Sequence, residues 1–194
     1  MTATTGADGV ARCPWAVQGE YARYHDEEWG VPLHGDVALF EKLSLEGFQS
    51  GLSWIVVLRK RPAFRAAFAG FEPERVAAFG EPDVERLLAD AGIVRNRQKI
   101  EAVIANARAV AALRDRDGDG ALDRLVWSHA PEARHERDRP TGMGDVPAST
   151  PESTALAKAL KATGLRFVGP VTVYALMQSA GLVDDHVVGC WRAP

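Results

Sequence analysis

The sequence predicts an all-α fold, and three observations carry that prediction. Apolar residues recur at three- and four-residue intervals through most of the stretch 36–181. Prolines and glycines fall where helices would begin and end. No run alternates with period two for long enough to build a sheet, and there is no internal repeat.

Taken in order, Asp36 is the expected N-cap of a helix over 37–49, in which Leu39, Phe40 and Leu43 share one face. Glu46 follows Leu43 by three residues and Leu39 by seven, so its carboxylate lies at the margin of the buried arc. A helix over 52–59 is expected to stop before Pro62, because a residue preceding proline is pushed out of the helical region. Pro62, Pro73 and Pro82 each suit the first position of a helix, where the missing N–H costs nothing, and so open helices over 63–69, 74–79 and 83–91.

Gly92 ends one helix, and the next runs from Arg97 to about Leu113 with Ile100, Val103, Ile104 and Ala107 inward. The polar run 115–120 is a turn and 121–127 a short helix. The segment 128–149, rich in charge, Pro and Gly, reads as a long irregular surface loop. Thr150 and Pro151 signal the start of a helix that ends near Gly164. Pro170 opens the last helix, apolar at Val171, Val173, Tyr174 and Met177, and Gly181 closes it.

A chain of 194 residues with 46% hydrophobic and 25% charged residues suits one domain, expected over 12–194 behind a flexible tail over 1–11. No apolar run reaches the roughly 18 residues a membrane helix needs. The first residues are small and polar rather than basic and then apolar, unlike a secretory signal. With two cysteines, this points to the cytoplasm, where metal binding is commoner than a disulfide. The net charge of −3 argues neither for nor against nucleic acid, which needs only a local basic footprint. Arg59-Lys60-Arg61 and the group Arg95, Arg97, Lys99 could supply one, or could be solvated faces.

The two cysteines lie near opposite ends of the chain, each with a histidine close by: Cys13 with His25, and Cys190 with His186. Two thiolates and two imidazoles make a complete tetrahedral zinc set. One ion holding all four would tie the ends of the domain together. The spacing alone leaves open a Cys13–Cys190 disulfide, or unrelated buried thiols with His25 and His186 as polar core residues.

Two further features could bear chemistry. The break 91–97, between two apolar-faced helices, looks like a helix–hairpin–helix, whose tight turn and following helix N-terminus offer unpaired N–H groups to a phosphate. Gly92, Arg95, Arg97 and Lys99 are the candidates there; an ordinary helical corner with surface basics is the plainer reading. Aromatic residues also gather near the half-sites and Glu46: Trp15, Tyr24, Trp29 and Trp54. Rings that stack on a flat heterocycle, with a carboxylate or hydroxyl for its edge, make a base pocket, although each ring could equally fill core.

Taken together, the segments resemble the bacterial DNA-3-methyladenine glycosylase I family of the helix–hairpin–helix glycosylase superfamily. The strings that carry the resemblance are Arg12-Cys13-Pro14-Trp15, Tyr24-His25-Asp26-Glu27-Glu28-Trp29-Gly30-Val31-Pro32, Leu45-Glu46-Gly47 and Gly51-Leu52-Ser53-Trp54. They continue through Asp90-Ala91-Gly92-Ile93, Arg95, Lys99-Ile100 and Asn106-Ala107-Arg108, then Phe167-Val168-Gly169 and Asp185-His186-Val187-Val188-Gly189-Cys190. The similarity runs in order from about residue 12 to residue 190, and differs after Cys190.

The resemblance implies a monofunctional base-excision repair enzyme, acting as a monomer, that flips 3-methyladenine out of alkylated duplex DNA and leaves an abasic site. It implies one structural zinc ion on Cys13, His25, His186 and Cys190. It places Glu46 and Tyr24 at the reacting base, Trp54 as stacking face, and Trp15 and Trp29 beside them. Asp115 lies where related enzymes carry a catalytic aspartate, but this family does without one, and Asp115 reads as a solvated helix end. A DNA-binding module without excision, or a zinc hydrolase with an open ligand position, are the competing functions.

Overall fold

In the computed structural model, which describes residues 2–132 and 139–193, nearly all regular structure is helical. The helices are α1 (Gly19–Glu27), α2 (Asp36–Gln49), α3 (Trp54–Ala67), α4 (Pro73–Ala77), α5 (Glu81–Ala89), α6 (Arg97–Asp117), α7 (Ala121–Trp127), α8 (Pro151–Ala162) and α9 (Pro170–Ser179). Two strands, β1 (Thr4–Thr5) and β2 (Ala11–Arg12), pair antiparallel, so the N-terminal tail folds back on itself. No helix among the described residues is long and apolar enough to cross a membrane.

Helix α2 is the centre of the molecule. It packs against α3, α6, α7 and α9, and buries Leu39, Phe40, Leu43, Leu45 and Phe48. A helix apolar on so many sides belongs in a core; its buried Lys42 and Glu46 are therefore the informative residues. Around it, Phe48 meets Phe64 at 4.6 Å, and Phe68 stacks on Phe71 at 5.4 Å. A second, smaller cluster gathers both chain ends: Cys13, Tyr24, Trp29 and Leu58 with Val187 and Cys190.

Several expected boundaries shift. Helix α3 runs straight through Pro62 and does not stop before it. An interior proline costs about 3 kcal/mol, and the burial of Val57, Leu58, Phe64 and Ala67 on one continuous face offsets it. Asp36 is not the cap of α2, which Gly35 precedes with a positive φ of 94°. The Asp36 carboxylate instead accepts from Gly120 N at 3.0 Å and Asp123 N at 2.9 Å, and so caps α7 across the fold. Helix α1 is an addition to the expected elements. It is short and mostly polar, with Tyr24 and His25 as its buried residues.

Asp115 is exposed at the end of α6, as expected of a solvated helix end. Within the expected loop 128–149, Asp145 Oδ2 accepts from Thr141 N, Thr141 Oγ1 and Gly142 N and organises a tight turn. Residues 133–138 of that loop lie outside the described residues. Between α8 and α9, Asn106 grips the backbone of Arg166 in both directions, donating to its carbonyl at 3.0 Å and accepting from its N–H at 2.6 Å.

Candidate active site and metal centre

Four helices converge on a pocket of about 340 Å³. Helix α1 contributes Tyr21 and Tyr24, α2 Glu46 and Gln49, the start of α3 Trp54, and α9 Ala175, Gln178 and Ser179; Trp15 and Trp29 complete one side. Every expected base-pocket residue therefore lines one cavity. Tyr24 and Trp54 lie 5.5 Å apart at 47°, and Trp29 is edge-on to Trp15 at 5.2 Å. The Trp54 Nε1 donor is buried and has no acceptor among the described residues, a polar atom that a ligand could satisfy.

Glu46 is 6% exposed, and Ser179 Oγ donates to its Oε1 at 3.1 Å. Burial pushes its carboxyl up to about 7, against the opposing pull of Lys42 and of the Ser179 bond. Tyr24 is held well above the usual phenol range by burial and then by the nearby Glu46 charge, so it stays a neutral donor. Lys42 Nζ lies 3.4 Å from Tyr24 Oη.

Several of these groups escaped the sequence reading. Tyr21 accepts from Ile55 N at 3.0 Å and so fixes the start of α3, next to Trp54. Gln178 donates to Asp185 Oδ2 at 2.7 Å, as does Tyr174. The helical spacings Tyr21–Tyr24 and Lys42–Glu46 were readable signals. Ser179 comes from the far end of the chain and left none.

The second centre lies directly behind α1. Ligand atoms of Cys13, His25 and Cys190 all fall within 4.8 Å of one another, and His25 Nε2 is 3.4 Å from Cys190 Sγ. Both cysteines are free thiols, which removes the disulfide alternative. His186 stands just outside this tight trio, its ring 5.0 Å from that of His25. Its Nε2 is buried and has no hydrogen-bond partner among the described residues.

The two histidines are held in the same way. His25 Nδ1 meets Asp26 at 2.9 Å, and Asp26 is gripped by Arg12 Nη2 at 2.7 Å. His186 Nδ1 meets Asp184 at 2.6 Å, and Asp184 faces Arg139 at 3.4 Å. An aspartate fixing Nδ1 leaves Nε2 free as a ligand, the support a metal-bound imidazole requires. Both aspartates are held well below the ordinary carboxylate range by these bonds, despite burial. The Cys13 thiol is raised and that of Cys190 lowered, because one proton shared between the sulfurs favours a thiolate on Cys190. Gly30 belongs to the same design. Its φ is 76°, and a side-chain carbon there would sit 2.8 Å from His186 Cε1.

The turn between α5 and α6 departs from expectation in detail. Gly92 N is already bonded to Asp90 Oδ1 at 2.7 Å. The Lys99 ammonium donates to Phe48 O at 2.9 Å and Ser50 O at 2.5 Å, which leaves one of its three N–H groups for a phosphate. Phe48 lies in the last turn of α2 and Ser50 just beyond it, where carbonyls have no partner within the helix. Arg97 is engaged by Glu81 at 2.8 Å and also by Glu85 and Glu101. Arg95 remains as an exposed basic residue.

Residues 15–193 match the family model described as methyladenine glycosylase. The chain is 50% identical over 189 residues to DNA-3-methyladenine glycosylase 1 of Escherichia coli (strain K12), covering 95% of this chain and 98% of that protein. A crystal structure of 3-methyladenine DNA glycosylase I superposes with a TM-score of 0.86 at 48% identity, covering 94% of this chain and 100% of that one. A variant of such an enzyme, solved in complex with 3-methyladenine, superposes at 0.83 with 34% identity over 91% and 94% of the two chains.

Proposed function

This chain belongs to the methyladenine glycosylase family, and on that footing we propose that Glu46, Tyr24 and Trp54 form the pocket for the damaged base. The enzyme acts in base excision repair: it hydrolyses the N-glycosidic bond of 3-methyladenine in DNA and leaves an abasic site. The observation that carries the pocket assignment is Glu46, a buried carboxylate, 6% exposed, in the wall of an aromatic cavity.

Methylation at N3 gives the adenine a positive charge, so the base is a good leaving group before the protein touches it. The work left to the protein is selection and placement. A base flipped from duplex DNA stacks on Trp54, and its edge bonds to Glu46 and to the Tyr24 hydroxyl. An ionised Glu46 in a poorly solvated pocket favours the cationic lesion over neutral adenine. The same charge faces the oxocarbenium-like sugar that forms as the bond breaks. No lysine among the described residues lines the pocket, which supports hydrolysis without a lyase step. The exposed Arg95 and the turn at Gly92 are the proposed contacts to the phosphate backbone of duplex DNA.

The same reading assigns a structural zinc ion to Cys13, His25, His186 and Cys190. The donor set is right for zinc, and the orphaned His186 Nε2 together with the two Asp-fixed imidazoles supports the fit. Bound there, zinc would supply a closed four-ligand cross-link, with no position open for water. Cys13 and His25 would hold the start of the chain and His186 and Cys190 its end, making 12–194 one unit that works as a monomer.

Titration of tryptophan fluorescence with free 3-methyladenine tests the pocket. Quenching saturates in the wild type, is much weaker with adenine, and is lost in Trp54→Ala and weakened in Glu46→Gln. Equal response to both bases in the wild type would refute the role of Glu46.

A further inference from the structure

The wall behind the base pocket contains a lysine that the reaction above leaves without a role. Lys42 lies one helical turn ahead of Glu46 on α2, and the two are 8% and 6% exposed. Its Nζ is 3.4 Å from Tyr24 Oη and 5.0 Å from the centre of the Tyr24 ring. Lys42 lines not the base pocket but a neighbouring cleft of about 200 Å³, which shares Ser179 with it.

An ammonium withdrawn from water is costly unless an opposite charge compensates. Of the other charges in the cleft, Glu27 is exposed and the remaining four form two pairs. Arg61 meets Glu28 at 2.5 Å, and Arg65 meets Glu41 at 2.8 Å. Among the described residues, the neutral hydroxyl of Ser179 is the direct partner of Glu46, and Lys42 is the cation that acts on it.

We propose that Lys42 is a positioning residue for excision: its ammonium keeps Glu46 ionised within the dry wall and, by donating to Tyr24 Oη, directs the single Tyr24 proton away from itself. The inference rests on the pocket reading above, in which Glu46 acts as an anion.

The sign of the effect follows from the surroundings of Glu46. Burial raises its carboxyl, and Lys42 and then Ser179 lower it, to a net value of about 7. The remaining groups are Tyr24 from α1, neutral at these pH values, and the mutually compensating Glu28 of the α1 end and Arg61 of α3. Without Lys42 the burial penalty is opposed only by Ser179, so Glu46 retains its proton to higher pH. Excision then falls on the acidic side and recovers as pH rises.

The test is the pH profile of single-turnover 3-methyladenine release from alkylated duplex DNA by the full chain. Wild type, Lys42→Met, Lys42→Arg and Glu46→Gln are compared. In Lys42→Met the acidic limb should move up by about one pH unit, a roughly tenfold loss near pH 6 that disappears at high pH. Lys42→Arg keeps the charge and should keep the wild-type limb. Lys42→Gln gives the same comparison should Lys42→Met not fold. A Lys42→Met profile that superimposes on wild type, or falls by one factor at every pH, overturns the proposal. So does a limb displaced equally in the Met and Arg variants. Glu46→Gln separates the two levels. If it loses the acidic limb while Lys42→Met leaves it unmoved, only the role of Lys42 fails; if it keeps the full wild-type profile, the pocket reading fails and the role of Lys42 with it.

Discussion

Tyr24 and His25 are consecutive residues of α1, yet they serve two different sites. Tyr24 faces the base pocket, with Trp54 at 5.5 Å, and His25 reaches Cys190 at 3.4 Å. One short helix is thus both a wall of the pocket and a wall of the cysteine–histidine cluster. Its polar sequence and its length give it little stability of its own, so it depends on its ties to α3 through Tyr21 and Glu20 and on the cluster behind it.

Removing that support should therefore be felt in both sites. Cys190→Ser or His186→Ala should lose zinc and about 3 kcal/mol of stability, at the upper end of common single-substitution effects. For a chain of this size that lowers Tm by roughly 6–12 °C. Affinity for free 3-methyladenine should fall in parallel. Metal analysis with thermal melting checks this, and a zinc-free variant with wild-type Tm would show that the centre does not hold the fold.

Glu46 links stability to pH. Its carboxyl rises from 4.5 unfolded to about 7 folded, so its favourable contribution is full below pH 4.5 and is lost as pH rises through 7. Ionising it in place costs the fold roughly 3 kcal/mol as an upper bound. Glu46→Gln should thus be more stable than wild type at pH 8–9 and show no such gain near pH 4. Chemical denaturation at the two pH values decides, and equal differences at both would rule out the buried, raised carboxyl.

Asp36 offers a control away from both sites. Its carboxylate satisfies two backbone N–H groups at the start of α7. Asp36→Ala should cost about 1–2 kcal/mol, or roughly 2–8 °C in Tm, with unchanged excision per folded molecule. A large loss of rate at full folding would place Asp36 in the active site instead.

Arg95 and Lys99 should separate under salt. Arg95→Ala is expected to weaken duplex binding evenly across sequences and to reduce the salt slope by about one. Lys99→Met removes the bonds to Phe48 O and Ser50 O. It should slow excision by loosening the loop between α2 and α3 while leaving the salt slope intact. Binding isotherms at several salt concentrations distinguish the two, and a reduced slope in Lys99→Met would return Lys99 to the phosphate backbone.

The parts of the fold that sequence predicts best are those built by local pattern. The face of Leu39, Phe40 and Leu43 and the cap at Thr150 can be read from spacing and residue type. Pro62 misleads because the packing of Phe64, which lies deep in the core, outweighs a local rule. Asp36 misleads because its partners lie more than eighty residues further along, at Gly120 and Asp123. Of the candidate site, the motifs around Tyr24, Glu46 and Trp54 single out residues that the fold brings to one cavity. Lys42 is marked by its spacing of four from Glu46 on α2, whereas Ser179 reaches Glu46 only after α2 and α9 have met, so no local signal names it.

The central claim is that Glu46, in this pocket, is needed to remove the damaged base. Release of free base from alkylated duplex DNA, resolved by chromatography, tests it for wild type and Glu46→Gln. The wild type should release 3-methyladenine, and the variant should be slower by about 100-fold or more with its fold and zinc content intact. Release at the wild-type rate by Glu46→Gln would contradict the claim.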